Sequence, residues 1–226
     1  MLNVDEIKKK EKENKYKSKI LDIKYESLPF LDFQSARYSM TVKVKIGKIY
    51  DLAKEKNVPF FNLTSACILS AVNEIPELKK RIINKKVVEF ECVTAITPIL
   101  QNDKSIREIE LPPLEYFKSF KEWNDYIQYK KSNIEKEGFN LEASKRDEEP
   151  IVNFSCIPWL HFESMTNVTY SPHQIYPVIT WGKLVEGTIP ISLTVSHIFF
   201  FGYHFKLFYE GVEKYFNNPE LINNFK

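Results

Sequence analysis

The stretch "LTVSHIFFFGYHF" (Leu193–Phe205) reads as a strand, a turn and the start of a helix. Apolar residues lead to a polar His197, three phenylalanines and Gly202 follow, and an amphipathic run begins. In that run Phe205, Phe208, Val212 and Tyr215 recur at spacings of three, four and three, which makes one apolar helical stripe. A histidine at the end of an apolar strand is either a core residue beside an aromatic cluster or a general base on a rigid mount. An imidazole with a pKa of about 6.5 is mostly neutral at pH 7 and can accept a proton.

Working outward, strands are expected at Ile151–Leu160, Ile175–Leu184 and Ile189–Phe199. "SARYSMTVKVKI" (Ser35–Ile46) alternates with the period of a half-exposed strand, and "KVVEFECVTAITPIL" holds one or two more. "KIYDLAKEK" is a short helix closed by Asn57 and Pro59. "NLTSACILSAVNEI" (Asn62–Ile75) is small and apolar on nearly every face, as a buried helix is, and Pro76 ends it. Pro112–Gly138 has proline at its entrance and glycine at its exit, the asymmetry of a helix. Residues 139–149 form a charged loop. Interspersed strands and helices give an α/β or α+β class with a mixed sheet.

Composition narrows the function. A chain of 226 residues with 43% apolar content suits one large domain, 1–226, with a basic N-terminal helical arm at 1–24. The run Lys8–Lys19 mixes both charge signs, as a solvated face does. A net charge of +2 leaves no footprint for nucleic acid. No apolar run approaches the roughly 20 residues of a membrane span. Cys67, Cys92 and Cys156 have no metal-ligand spacing, so no metal is expected, and with no secretory signal they read as reduced thiols in a cytoplasm.

Three further segments, "NFSCIPWLHFES" (Asn153–Ser164), "YPVITWGKLVEGTIPISLTVSHIFFFGYHF" (Tyr176–Phe205) and "KLFYEGVEKYFNNP", have a shared order and spacing. With "LTSACILSAVNEIPELKKRI" upstream they resemble the chloramphenicol acetyltransferase family, over roughly residues 25–217. The resemblance rests on a Ser-x-x-Pro-Trp strand, an apolar strand in which two residues separate a Thr from a lysine, and a His-x-x-x-Asp-Gly turn into a helix. It implies an α+β sandwich, a mixed β-sheet flanked by helices, similar to the dihydrolipoyl acyltransferase core. It also implies a homotrimer that moves an acetyl group from acetyl-coenzyme A to a hydroxyl of chloramphenicol or a similar small acceptor, as an antibiotic-resistance enzyme does. The histidine then comes from one subunit and much of the acceptor pocket from its neighbour.

Carried over residue by residue, the resemblance implies His197 as base, Ser155 as oxyanion donor and Thr180 as the residue that orients a water. Lys183 would meet coenzyme A, while Tyr38, Phe33 and His161 would face the acceptor. His204 and His173 are read as structural or pocket-lining. Three positions depart from the family pattern. Phe201 replaces the motif aspartate, "KYESLPFLDF" (Lys24–Phe33) lacks its arginine partner, and Leu184 replaces a tyrosine expected to stack on adenine. Loss of both ion-pair members at once avoids a buried unpaired charge. The expectation is that Phe199, Phe200 and Phe201 pack where the bridge stood, and that the histidine is oriented by another contact, such as a backbone carbonyl. The alternative function is a catalytically silent trimer that binds a ligand or partner.

Overall fold

A computed structural model describes residues 2–222. The helices are α1 (Val4–Asn14), α2 (Ile49–Glu55), α3 (Phe60–Asn73), α4 (Phe120–Ser132), α5 (Ile134–Glu137) and α6 (Gly202–Asn217). The strands are β1 (Ser18–Ile20), β2 (Arg37–Lys45), β3 (Lys80–Ile83), β4 (Lys86–Phe90), β5 (Thr94–Leu100), β6 (Ile106–Leu111), β7 (Ile151–Ile157), β8 (Val178–Gly182) and β9 (Thr188–Ser196). Six strands form a mixed sheet in the order β2-β9-β8-β7-β5-β6, and β1-β4-β3 form a small second sheet. In the large sheet β5, β7 and β8 run parallel while the other pairs are antiparallel.

Strand alternation gives the large sheet two unlike faces. Phe154, Ile179, Trp181, Ile191, Leu193 and Val195 point into the main core with α3 and α6. The Tyr209 hydroxyl of α6 donates to the carbonyls of Met40 and Ile191, at 2.6 and 3.0 Å, and ties the helix to two strands. The opposite face carries Ser39, Asn153, Ser155, Thr180, Ser192 and Thr194, and the segment 158–177 is held on it through Asn167. Gly182 lets that segment turn back closely, because a Cβ there would lie 2.5 Å from the Leu160 carbonyl.

Several boundaries differ from the sequence expectation. The helix expected from Pro112 begins at Phe120, because Ser119 caps it by accepting from the Glu122 amide at 3.2 Å. It breaks at Asn133, whose backbone leaves the helical region, and resumes as α5. Strand β9 ends at Ser196, so His197, Ile198 and Phe199 belong to the turn. Of the small sheet only β4 was anticipated, within "KVVEFECVTAITPIL". Its β3–β4 hairpin turns on Asn84 and Lys85, both at positive φ (49° and 60°), as a two-residue primed turn requires. The N-terminal arm is docked rather than solvated, with Ile7 buried, Lys8 paired to Glu137 at 2.7 Å and Lys15 to Glu110 at 2.8 Å.

The packed-turn expectation is half met. Phe199 and Phe200 are 7% and 1% exposed, but Phe201 is 41% exposed. Phe201 is the residue before α6, in extended conformation (φ −115°, ψ 172°), and its side chain leaves the core.

Candidate active site

The imidazole of His197 lies between two rings. Phe30 stacks on one side at 4.3 Å between centroids and 17°, and Tyr38 lies at 4.5 Å and 30°. Phe201 meets the imidazole edge-on at 5.1 Å. Phe30 has φ of 62°, a left-handed conformation that is uncommon for a bulky side chain and is held here by the ring stack and by the edge contact with Phe33 at 5.0 Å. The His197 amide donates to the Ala36 carbonyl at 2.7 Å, which extends the β2–β9 ladder one step and fixes the backbone.

The Nδ1 atom of His197 lies 2.9 Å from the Phe200 carbonyl oxygen. A carbonyl only accepts, so Nδ1 carries the proton in the neutral ring and Nε2 is left with its lone pair. The same carbonyl accepts from the Tyr38 hydroxyl at 2.7 Å. Burial pushes the Tyr38 phenol up to about 12, so it stays a donor across the working pH range. A main-chain acceptor thus orients the histidine with no carboxylate at 201.

Ser155 and Thr180 face each other across the parallel β7–β8 pair, and both belong to the polar face of the sheet. Thr180 is fully buried, and its hydroxyl donates to the Asn167 side-chain oxygen at 2.6 Å. The Asn167 amide donates in turn to Thr194 Oγ1 at 2.8 Å, which lies 2.7 Å from Ser39 Oγ. This chain of four side chains pins the segment 158–177 onto the sheet. The Ser155 hydroxyl has no protein hydrogen-bond partner among the described residues, and it lines a cavity of about 400 Å³ with Asn153, Asn167 and Tyr176. A hydroxyl held in this way can donate to a developing oxyanion.

The expected site residues fall into three groups in one chain. Tyr38 and His197 are together, with Phe33 reached through Phe30. Ser155 and Thr180 lie mid-sheet. Lys183 is exposed beyond the far end of β8, where its carbonyl lies 2.9 Å from Nδ1 of His161. In the ladder Ser155 is level with Thr180, and Thr180 with Ser192. His197 is five residues beyond Ser192. Two strand spacings across and five residues along put Ser155 and His197 roughly 19 Å apart. One substrate cannot meet both within a single chain.

His204 is structural. As the third residue of α6 it accepts from the Phe201 amide through Nδ1 at 2.9 Å, and its Nε2 lies 3.8 Å from Glu77. His173 is exposed. The sequence reading missed Phe30, Asn167 and a pair formed by Glu108 and Arg146 beside Ser155. Phe30 could be read only as the absence of arginine. Arg146 sits in the stretch read as a charged loop, where its charge gave no sign that it turns inward.

Among the described residues no group of acidic, histidine or cysteine side chains is arranged to hold a metal ion, and no helix is long and apolar enough to cross a membrane. The family model for chloramphenicol acetyltransferase matches residues 23–212. A chloramphenicol acetyltransferase of Bacillus pumilus is 27% identical over 185 residues, covering 77% of this chain and 80% of that protein. One from Clostridium butyricum is 26% identical over 206 residues, covering 86% and 91%. A solved chloramphenicol acetyltransferase superposes with a TM-score of 0.75 at 26% identity, covering 88% of this chain and all of that one. A probable dihydrolipoamide acetyltransferase from Listeria monocytogenes 4b F2365 shares the fold, with a TM-score of 0.59 at 13% identity over 85% of this chain and 88% of that one. With a family model matching most of the chain and the fold shared with a solved relative, the chain belongs to the chloramphenicol acetyltransferase family and is an acyltransferase of that type.

Proposed function

We propose that the protein is a homotrimeric O-acetyltransferase that takes acetyl-coenzyme A as donor and a small hydroxyl compound, of which chloramphenicol is one, as acceptor. The observation that carries the reading is the Phe200 carbonyl at His197 Nδ1, which leaves Nε2 free as a base. Nε2 takes the proton of the acceptor hydroxyl as its oxygen bonds to the acetyl carbonyl carbon. The Ser155 hydroxyl donates to the oxyanion, a contribution of about 3 kcal/mol in well-studied sites. When the tetrahedral species collapses, the carbon–sulfur bond breaks and the imidazolium returns its proton to the departing thiolate. Thr180, held by Asn167, keeps the wall behind Ser155 in place. Lys183 is exposed where it can meet donor phosphates, and Tyr38 and Phe33 border the acceptor side of the histidine.

The roughly 19 Å between Ser155 and His197 in one chain supports a site shared between copies. The apolar surface exposed by Trp159, Leu160 and Val168 on the segment over the polar face of the sheet supports it too. Phe201 in place of an acidic residue is the observation that favours a silent binding protein instead.

The test is coenzyme A release from purified protein, acetyl-coenzyme A and chloramphenicol, followed with a thiol reagent, beside light scattering. Turnover by a trimer is expected. A trimer without turnover on any hydroxyl acceptor would leave the silent reading, and a monomer at micromolar concentration would sink the shared site.

A further inference from the structure

The cavity beside Ser155 carries a charged pair that the mechanism does not use. Arg146 Nη2 lies 2.8 and 2.6 Å from the two carboxylate oxygens of Glu108, and both residues line the same cavity as Ser155. Nη2 also donates to the Leu141 carbonyl at 2.9 Å, and the Leu141 amide donates to Glu108 Oε2 at 3.2 Å. Their side chains are 10% and 15% exposed. Glu108 faces Pro98 on β5, and Asn153 faces Ile96. The same register carried two residues on puts Ser155 level with Pro98, so Glu108 and Ser155 are two strands, roughly 10 Å, apart across one face. A single small molecule spans that gap.

The pair presents no net charge to a ligand. Nη2 of the guanidinium is spent on Glu108 and the Leu141 carbonyl, and Nη1 donates to the Asn153 side-chain oxygen at 2.9 Å. That bond also decides which end of the Asn153 amide is free. With Oδ1 accepting from Arg146, Nδ2 is a donor with no protein partner among the described residues, on a side chain that lines the cavity. Glu108 Oε2 accepts twice and Oε1 once, which leaves Oε1 with capacity for another donor. One hydroxyl group satisfies both needs, since it accepts from Asn153 and donates to Glu108. A charged group would meet no counter-charge there. Tyr170 and Tyr176 complete the wall as a stacked pair, 6.4 Å apart at 9°, and supply the flat apolar surface that suits the C–H face of a ring.

We infer that the acceptor is an uncharged molecule with more than one hydroxyl, of sugar or polyol character. Its reacting hydroxyl lies toward Ser155, and a neighbouring hydroxyl bridges Asn153 and Glu108. The inference rests on the acetyl-transfer reading of this site. Two probes test it: phenyl β-glucoside, and 2-phenylethanol, which keeps the aromatic ring but has one hydroxyl. Wild-type protein is expected to acetylate the glucoside with kcat/KM at least 10-fold above that for 2-phenylethanol. The double variant Glu108→Ala/Arg146→Ala removes both charges together, so neither is left buried alone. It should erase that preference while keeping turnover of 2-phenylethanol. Equal use of both probes by wild type, or a preference that survives in the double variant, overturns the inference.

If the double variant does not fold, Asn153→Ala serves in its place, with the same expectation. Binding of the glucoside, followed by calorimetry, separates this inference from the reading beneath it. Binding by wild type that is lost in Asn153→Ala, with no coenzyme A released from any mixture, keeps the polyol subsite and sinks acetyl transfer. No binding and no turnover of the glucoside sinks the subsite.

Discussion

Replacing Phe201 with aspartate tests how the turn after β9 is built. If Phe201 were packed in the turn, Phe201→Asp would bury an unmet carboxylate and destabilise the protein. The structure reverses that expectation. Phe201 occupies the N-cap of α6, with 41% of its surface exposed and an extended backbone that suits a capping side chain. The amides of the first turn point past it, and phenylalanine has no acceptor to offer them. His204 already makes the return half of the reciprocal cap. A carboxylate at 201 would accept a first-turn amide and face the positive end of the helix dipole, together worth roughly 1–2 kcal/mol over alanine. For a chain of this size that is about 2–8 °C in melting temperature. Phe201→Ala is the matched control, since both variants lose the edge contact with His197. Melting is followed at one fixed protein concentration, because an oligomer's midpoint depends on it. The gain should vanish as the pH falls through about 4, where the carboxylate protonates and the cap loses its charge. An aspartate variant no more stable than the alanine one would refute the exposed cap and mean that something, a second copy included, covers Phe201.

His197→Ala should lower turnover by roughly 10²–10⁴-fold with the assembly intact by light scattering, and unchanged turnover would place the base elsewhere. Ser155→Ala should cost about 10²–10³-fold in kcat without moving the melting temperature by more than a degree or two, because its hydroxyl has no protein partner to lose. Lys131 on α4 donates to Asn62 at 2.7 Å and sits 4.4 Å from the Phe61 ring, and burial pushes its ammonium down to about 8. The folded state therefore carries a penalty on the order of 3 kcal/mol, in full below pH 8 and gone above 10.5, and Lys131→Met should raise the melting temperature at pH 7 but hardly at pH 10.5. Equal shifts at the two pH values would mean that the gain comes from packing alone.

The sheet strands and the last helix were legible because burial on one face writes a period into the sequence. Phe205, Phe208, Val212 and Tyr215 all proved buried along α6. The β3–β4 hairpin was not, since Asn84 and Lys85 carry their turn signal in backbone angles rather than in a Gly. Ser155 and Thr180 stood out only through motif spacing, and His197 also through its place at the end of an apolar run. That spacing says nothing about the roughly 19 Å between Ser155 and His197, which follows from strand register. A backbone carbonyl was expected to orient the histidine, but which carbonyl it is could not be read from the sequence. The contact is made by a main-chain atom, and every residue type has one.

A main-chain contact changes how this turn tolerates substitution. A carboxylate that orients a histidine is lost with one substitution. The Phe200 carbonyl survives any substitution at 200 that leaves the path of the chain in place, so the histidine tautomer is inherited with the backbone and not with a codon. Position 201 is released by the same fact. It is free to drift between a polar partner, a helix cap and a bare aromatic ring, and the histidine three residues from Phe200 keeps its aim throughout.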